Sequence, residues 1–262
     1  MPLHYGSYRD VLGHVTADLI FTSPPYNVGG KQARQDGRRK NGQYDQRSFG
    51  GITGYADSLP EDAYQDTQAQ FLVWAADHMA PGGTLVYNHK PRQRRKTLID
   101  PHEWFLRPDV RDRLTEATYP IVWDRTGTHQ HGRGQIWQQT ERLYVLRRTQ
   151  DTSWSMDNYR ARGLDPRFQG DVWRIPVTTH PDNGHNAPFP LDLARAVVAM
   201  WSEPGRLVCD PYAGSGTTAV AALGMGRRFE GAEIIPGYHE QAVKRLRGHI
   251  KEDTQRGRAR AA

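Results

Sequence analysis

Short apolar runs alternate with long polar stretches along this chain, and the runs carry two different periods. Ala17-Asp18-Leu19-Ile20-Phe21-Thr22 is an apolar run halted by Pro24-Pro25. A run of that length, closed by residues with a fixed backbone, predicts a buried parallel strand feeding a rigid loop. Tyr64, Gln68, Phe71, Leu72, Ala75 and Met79 then recur at helical spacing, with Pro81-Gly82-Gly83 placed to end that amphipathic helix. Residues 84–88, 120–123 and 142–146 read as three further strands. The polar stretch 124–140, with Gly127, Gly132 and Gly134, suits a loop between the last two.

Towards the C-terminus the pattern is tighter. Leu191, Ala194, Val197, Val198 and Trp201 mark one face of a helix over 191–201. Residues 206–210, 217–224 and 228–233 then read strand, helix, strand. That βαβ order predicts an α/β fold with a doubly wound, Rossmann-like, mostly parallel sheet. Residues 27–60 and 147–186 show no clear period; the first reads as a long insertion and the second as loops or a small irregular subdomain. At 262 residues the chain suits one domain over 1–250 carrying these insertions, followed by a basic tail at 251–262.

Composition narrows the classes. Only 37% of residues are hydrophobic, but seven Trp, twelve Tyr and seven Phe supply large buried areas. Cys209 is the single cysteine, which excludes an internal disulfide and a thiolate metal cluster built from this chain. The absence of a long apolar stretch or a signal-like N-terminus points to a cytoplasmic protein without a membrane partner. A formal charge of +6 favours a polyanionic partner.

Two segments carry candidate chemistry. In Asp210-Pro211-Tyr212-Ala213-Gly214-Ser215-Gly216-Thr217-Thr218 a strand passes through a glycine turn into a helix, so unpaired backbone N–H groups meet at a strand's carboxyl end, where a nucleoside can lie. Glu233, closing the next strand, is placed to accept from ribose hydroxyls. The Gly-Lys-Ser/Thr of a P-loop does not follow the turn, which disfavours a nucleotide-triphosphate site. Ser23-Pro24-Pro25-Tyr26 closes the first strand and presents acceptors beside an aromatic ring. An exocyclic base amine is a poor nucleophile because its lone pair is delocalised; acceptors from the Ser23 side chain and the Pro24 carbonyl would favour a pyramidal nitrogen, with Tyr26 stacking on the base.

Together these two segments resemble the amino-methylating DNA methyltransferases, whose catalytic motif is Asp/Asn/Ser-Pro-Pro-Tyr/Phe and whose cofactor motif is Asp-Pro-Phe-x-Gly-Ser-Gly-Thr. Tyr212 stands where Phe is usual. The order here, catalytic motif first, is similar to that family's β group, as is His185-Asn186-Ala187-Pro188-Phe189-Pro190. The resemblance implies S-adenosylmethionine as cofactor, held by Phe189, Pro190, Asp210, Tyr212, Gly214, Ser215, Gly216, Thr217, Thr218 and Glu233, and Ser23, Pro24, Pro25 and Tyr26 as the catalytic residues. It implies double-stranded DNA as substrate and allows a homodimer and a cognate restriction endonuclease as partners. Ser before Pro-Pro favours cytosine-N4 over adenine-N6. Cytosine-C5 chemistry needs a nucleophilic thiolate, and Cys209 sits inside an expected core strand.

Lys31, Arg34, Arg92, Arg94 and Arg95 belong to two basic clusters that follow expected strand ends, and are candidates for clamping phosphates. Region 124–170 is the candidate for reading base edges. His129, His131, His180 and His185 match no familiar metal spacing, so no metal is expected. Two other classes compete. A methyltransferase acting on protein glutamine or RNA would place its glycine turn before the Pro-Pro-Tyr loop, and a non-catalytic DNA-binding module would have no use for Glu233 and the glycine turn.

Overall fold

The structure is a computed structural model that describes residues 2–27, 59–94, 97–126, 138–156, 165–177 and 189–261. Its elements are β1 (Leu3–Tyr5), α1 (Tyr8–Val11), β2 (Ala17–Thr22), α2 (Glu61–Asp77), β3 (Met79–His89), β4 (Arg92–Arg94), β5 (Thr97–Ile99), α3 (His102–Phe105), α4 (Pro108–Arg111), β6 (Leu114–Glu116), β7 (Ile121–Asp124), β8 (Thr140–Arg148), β9 (Val172–Arg174), α5 (Leu191–Trp201), β10 (Leu207–Asp210), α6 (Thr217–Gly224), β11 (Arg228–Glu233) and α7 (Pro236–Ala261). The main sheet runs β1-β11-β10-β2-β3-β8-β7-β9, with β6 also paired to β8. From β1 to β3 every pairing is parallel; β8 runs antiparallel to both β3 and β7, and β9 lies parallel to β7.

The central strands are buried on both faces, so successive residues enter opposite cores. Leu19, Phe21, Val86, Val145 and Val208 join the core under α5, α6 and α7, while Ile20, Leu85, Tyr87, Tyr144 and Cys209 join the one under α1, α2, α3 and α4. This two-sided burial is the doubly wound architecture expected from the sequence. Each fully buried large side chain contributes on the order of 1.5–3 kcal/mol, and Trp104, Trp173, Tyr87, Tyr144, Phe21 and Phe71 are the largest of them.

Several expectations change. The helix of residues 61–77 ends before Met79, with the His78 ring nitrogen Nδ1 2.7 Å from the Trp74 carbonyl at its C-terminus. Met79 therefore opens β3 instead of closing the helix face, and Pro81-Gly82-Gly83 lies inside that strand, where the register with β2 breaks between Ala17 and Leu19. The region 147–186 contributes a strand, β9, anchored by the buried Trp173, whose indole N–H donates to the Gly170 carbonyl at 2.9 Å. Arg92 and Arg94 of the second basic cluster lie on β4, which pairs antiparallel with β5. The last helix takes in residues 251–261, read from the sequence as a tail. Among the described residues no helix is long and apolar enough to cross a membrane.

Gly231, in β11, pairs in register with Asp210 in β10. A Cβ there would stand 2.6 Å from the Phe229 ring and 3.0 Å from the Asp210 carbonyl oxygen. Gly231→Ala is therefore expected to lower the unfolding free energy by about 1–3 kcal/mol, as overpacking does. Urea titration measures this, and an unchanged midpoint would contradict so close an approach.

Candidate active site and cofactor pocket

Strand order reverses between β10 and β2: β10 leads through α6 to β11 on one side, and β2 leads through α2 to β3 on the other. Ligands in open α/β sheets bind in the crevice at such a switch point, outside the strands' carboxyl ends. Both candidate segments begin there. Asp210 ends β10 and is 1% exposed. Its carboxylate accepts from the Thr22 hydroxyl at 2.7 Å, the Thr218 hydroxyl at 2.5 Å and the Tyr212 N–H at 3.1 Å. One buried side chain thus ties the residue before Ser23 to the turn that enters α6. Burial pushes the Asp210 carboxyl up to about 6, against the opposing pull of its three donors.

The glycine turn takes the left-handed backbone that its sequence permits, with φ +51° at Gly214 and +78° at Gly216. Gly216 caps α6, and a Cβ on it would stand 3.2 Å from Ala242 in α7. The Ser215 carbonyl and Thr217 hydroxyl accept from the Arg245 guanidinium. Glu233 accepts from the N–H groups of Gly214 and Ile235, each at 2.8 Å, and its carboxyl is raised above the usual range by burial. Beside it opens a pocket of about 250 Å³, lined among others by Ser7, Tyr8, Arg9, Tyr212, Glu233 and Ile234. Sites enclosing whole drug-sized ligands run to roughly 300–1,000 Å³, so this pocket suits the nucleoside end of a cofactor.

Glu233 and Tyr212 stand on the wall of this pocket. Asp210 and Thr218 instead bond each other behind the turn, and Ser215 and Thr217 are held by Arg245. Phe189 packs on Phe21 of β2 at 4.8 Å between ring centres, and Pro190 is buried at the start of α5. The segment 185–188 lies outside the described residues. The pocket wall at Gly6–Arg9 was not legible in the sequence. It is positioned by β1, whose pairing continues into a hydrogen bond from Gly6 N–H to the Glu233 carbonyl at 3.0 Å.

The Ser23–Tyr26 loop is held from three sides. The Pro25 carbonyl accepts from the Tyr64 hydroxyl at 2.8 Å, and that hydroxyl lies 2.7 Å from His89 Nε2. A carbonyl can only accept, so Tyr64 uses its one proton there and His89 carries its own on Nε2. Its Nδ1 then accepts from the Lys90 N–H at 2.8 Å. Burial, then the nearby Arg92 charge, lowers His89 to about 3, so the ring stays neutral. Among the described residues nothing donates to the Pro24 carbonyl, the acceptor expected to face a substrate amine. Ser23 Oγ lies 2.8 Å from the Tyr26 hydroxyl, which donates to Glu141 at 2.9 Å. Asn88 Nδ2 reaches both Ser23 Oγ, at 3.4 Å, and Glu141, at 3.3 Å.

A family model described as DNA methylase, covering the N6 and N4 types, matches residues 17–244. The chain belongs to the DNA methylase family. It is 33% identical over 162 residues to Type II methyltransferase M.Cfr9I of Citrobacter freundii, covering 61% of this chain and 49% of that protein. It is 28% identical over 148 residues to M.SmaI of Serratia marcescens, covering 55% and 47%. The methylase thus matches about half the length of these curated relatives. Among solved structures, a DNA modification methylase from Thermus thermophilus, complexed with S-adenosyl-L-methionine, is similar with a TM-score of 0.66 and 26% identity, over 95% of this chain and 93% of that one. PvuII DNA methyltransferase (cytosine-N4-specific) shares the fold at a TM-score of 0.66 and 15% identity, over 92% and 84%.

The methylase's basic candidates separate. The Arg92 side chain is 2% exposed and makes a bidentate pair with Glu61 at 3.0 and 2.7 Å, its guanidinium 4.3 Å over the Tyr64 ring. Such a buried pair cannot reach a phosphate; Arg92 supports Tyr64, which in turn holds Pro25. Arg94 lies 3.7 Å from the same carboxylate and is partly exposed. Lys31, Arg34 and Arg95 lie outside the described residues. Asn27 and Leu59, at the neck of the 27–60 insertion, are joined by a 3.0 Å hydrogen bond. Cys209 is buried in β10, and burial pushes its thiol well up, which suits a core residue.

The raised carboxyl of Asp210 sets a pH dependence. A folded value above the unfolded one means that its stabilising contribution is complete below about pH 4 and is lost as pH rises through about 6. Asp210→Asn removes this titration. Between about pH 4 and pH 7 the difference in unfolding free energy should therefore move in the variant's favour. Urea titrations across that range measure it, and a difference independent of pH would contradict the assignment.

Proposed function

We propose that this methylase moves a methyl group from S-adenosylmethionine to an exocyclic amino nitrogen of a base flipped out of double-stranded DNA, with cytosine-N4 favoured over adenine-N6. The observation that carries the reading is the juxtaposition, across one switch point, of the Ser23-Pro24-Pro25-Tyr26 loop and the Glu233 pocket, tied by the Thr22–Asp210 hydrogen bond. The cofactor, when bound, supplies an electrophilic methyl group. Glu233 and Tyr212 would hold its nucleoside, and Phe189 would border its other end.

The chain's own residues have three tasks. Ser23 Oγ and the Pro24 carbonyl accept from the amine and draw its lone pair out of the ring plane. Tyr64 and neutral His89 keep the loop backbone from shifting. The base must leave the duplex to reach them, and the basic side chains of Arg94, Lys31, Arg34 and Arg95 are candidates for gripping the phosphates around it. The cytosine-N4 preference rests on Ser23 standing where a carboxylate accompanies adenine-N6. The Type II designation of both curated relatives supports a cognate restriction endonuclease as a partner.

Calorimetry should give one S-adenosylmethionine per chain. Ser23→Ala should leave that affinity within about threefold while tritium transfer to duplex DNA falls by about 100-fold, the scale set by losing one preorganised polar contact. Cofactor binding without transfer by the wild type to any DNA would favour a binding module over an enzyme.

A further inference from the structure

Glu141 is the second residue of β8, beside the Ser23–Tyr26 loop, and its side chain is 9% exposed. One oxygen, Oε2, accepts from the Tyr26 hydroxyl at 2.9 Å and from Asn88 Nδ2 at 3.3 Å. The other, Oε1, accepts from the Arg125 guanidinium at 3.1 Å and lies 3.9 Å from Lys90 Nζ. Arg125 is itself fixed, because it also donates to the Gln138 and Gln139 carbonyls. The carboxylate is therefore surrounded by donors and can only accept.

That constraint propagates. Tyr26 has one hydroxyl proton and directs it to Glu141, so the bond between Ser23 Oγ and Tyr26 Oη must have Ser23 as donor. With one lone pair met by Asn88 Nδ2 at 3.4 Å, Ser23 then turns the other, not its proton, towards whatever approaches the loop. We propose that Glu141 is a positioning residue that sets the direction of the Ser23–Tyr26–Glu141 chain, makes Ser23 an obligate acceptor for the substrate amine, and takes up the proton released on methylation. The inference rests on the amino-methyltransferase reading above and deepens it.

The proton balance is closed. The nitrogen lone pair forms the new N–C bond, and the electron pair of the broken S–C bond stays on sulfur. The amine then gives up one proton, keeping the N–H electron pair. That proton passes to Ser23 Oγ as the Ser23 proton passes to Tyr26 and the Tyr26 proton to Glu141, which ends as a neutral carboxylic acid. Serine, a weak acceptor by itself, is thereby coupled to a carboxylate two hydrogen bonds away. The sequence signal is slight: an acid at the head of the apolar run Leu143-Tyr144-Val145-Leu146.

Glu141→Gln tests this in the full-length chain. Arg125 and Lys90 require an acceptor at Oε1, so the amide turns its NH2 towards Tyr26, with the Asn88 amide rotating its own oxygen to meet it; this reverses the chain and points the Ser23 proton at the amine. Single-turnover methylation of duplex DNA should fall by about 100-fold, with S-adenosylmethionine and DNA dissociation constants within about threefold of wild type and an unchanged thermal midpoint. Tyr26→Phe cuts the same chain. In that background Glu141→Gln should cost no more than about twofold further, because residues acting as one unit are not additive. Wild-type transfer rates in Glu141→Gln, or full additivity with Tyr26→Phe, would overturn the relay and leave the enzyme assignment standing. Failure of the wild type to methylate any base would overturn both.

Discussion

The hydrogen bond between Thr22 and Asp210 joins the two halves of this molecule. A doubly wound sheet leaves a crevice where its strand order reverses, and nothing in the backbone ladder fixes how the loops on either side face each other. Here a carboxylate at the end of β10 takes one hydroxyl from the end of β2 and another from the first turn of α6. The residue after Thr22 is Ser23. The Ser23–Tyr26 loop and the glycine turn are therefore indexed to one buried group, which is held in spite of the desolvation that raises its carboxyl.

Around that strut, support is layered outwards. Tyr64 and His89 fix the Pro25 carbonyl, and Arg92 with Glu61 fixes the aromatic cluster beneath them. Burying an arginine–glutamate pair is a poor way to gain stability and a good way to specify geometry. Burial raises the Glu61 carboxyl, but hydrogen bonds from Arg92 and Gln65 and the charges of Arg92 and Arg94 bring it below the ordinary carboxylate range. On the opposite side β1 adds an edge strand that brings Gly6–Arg9 against the Glu233 pocket.

Much of this was legible in the sequence because the central strands are buried on both faces. The apolar run at 17–22 marked β2, the strand-helix-strand order over 206–233 marked β10, α6 and β11, and the helix over 191–201 followed from one apolar face. The Ser23-Pro24-Pro25-Tyr26 loop and the glycine turn were visible because proline and glycine fix backbone geometry locally. What stayed hidden depends on long-range pairing. Leu3–Tyr5 and Val172–Arg174 are each too short to carry a period. Met79 matched the helical spacing by coincidence while belonging to the next strand. Arg92 looked like a surface charge because its partner, Glu61, lies 31 residues away. The residues of the glycine turn proved to be split between those lining the pocket and those, such as Asp210 and Thr218, bonded behind it.

The proposed chemistry is defined by the atom that receives the methyl group. Duplex DNA incubated with the protein and S-adenosylmethionine carrying a trideuterated methyl can be digested to nucleosides and read by mass spectrometry. The predicted result is label on an exocyclic amino nitrogen, foremost N4 of deoxycytidine. Label on the C5 ring carbon of deoxycytidine, or on protein with none in DNA, would contradict it.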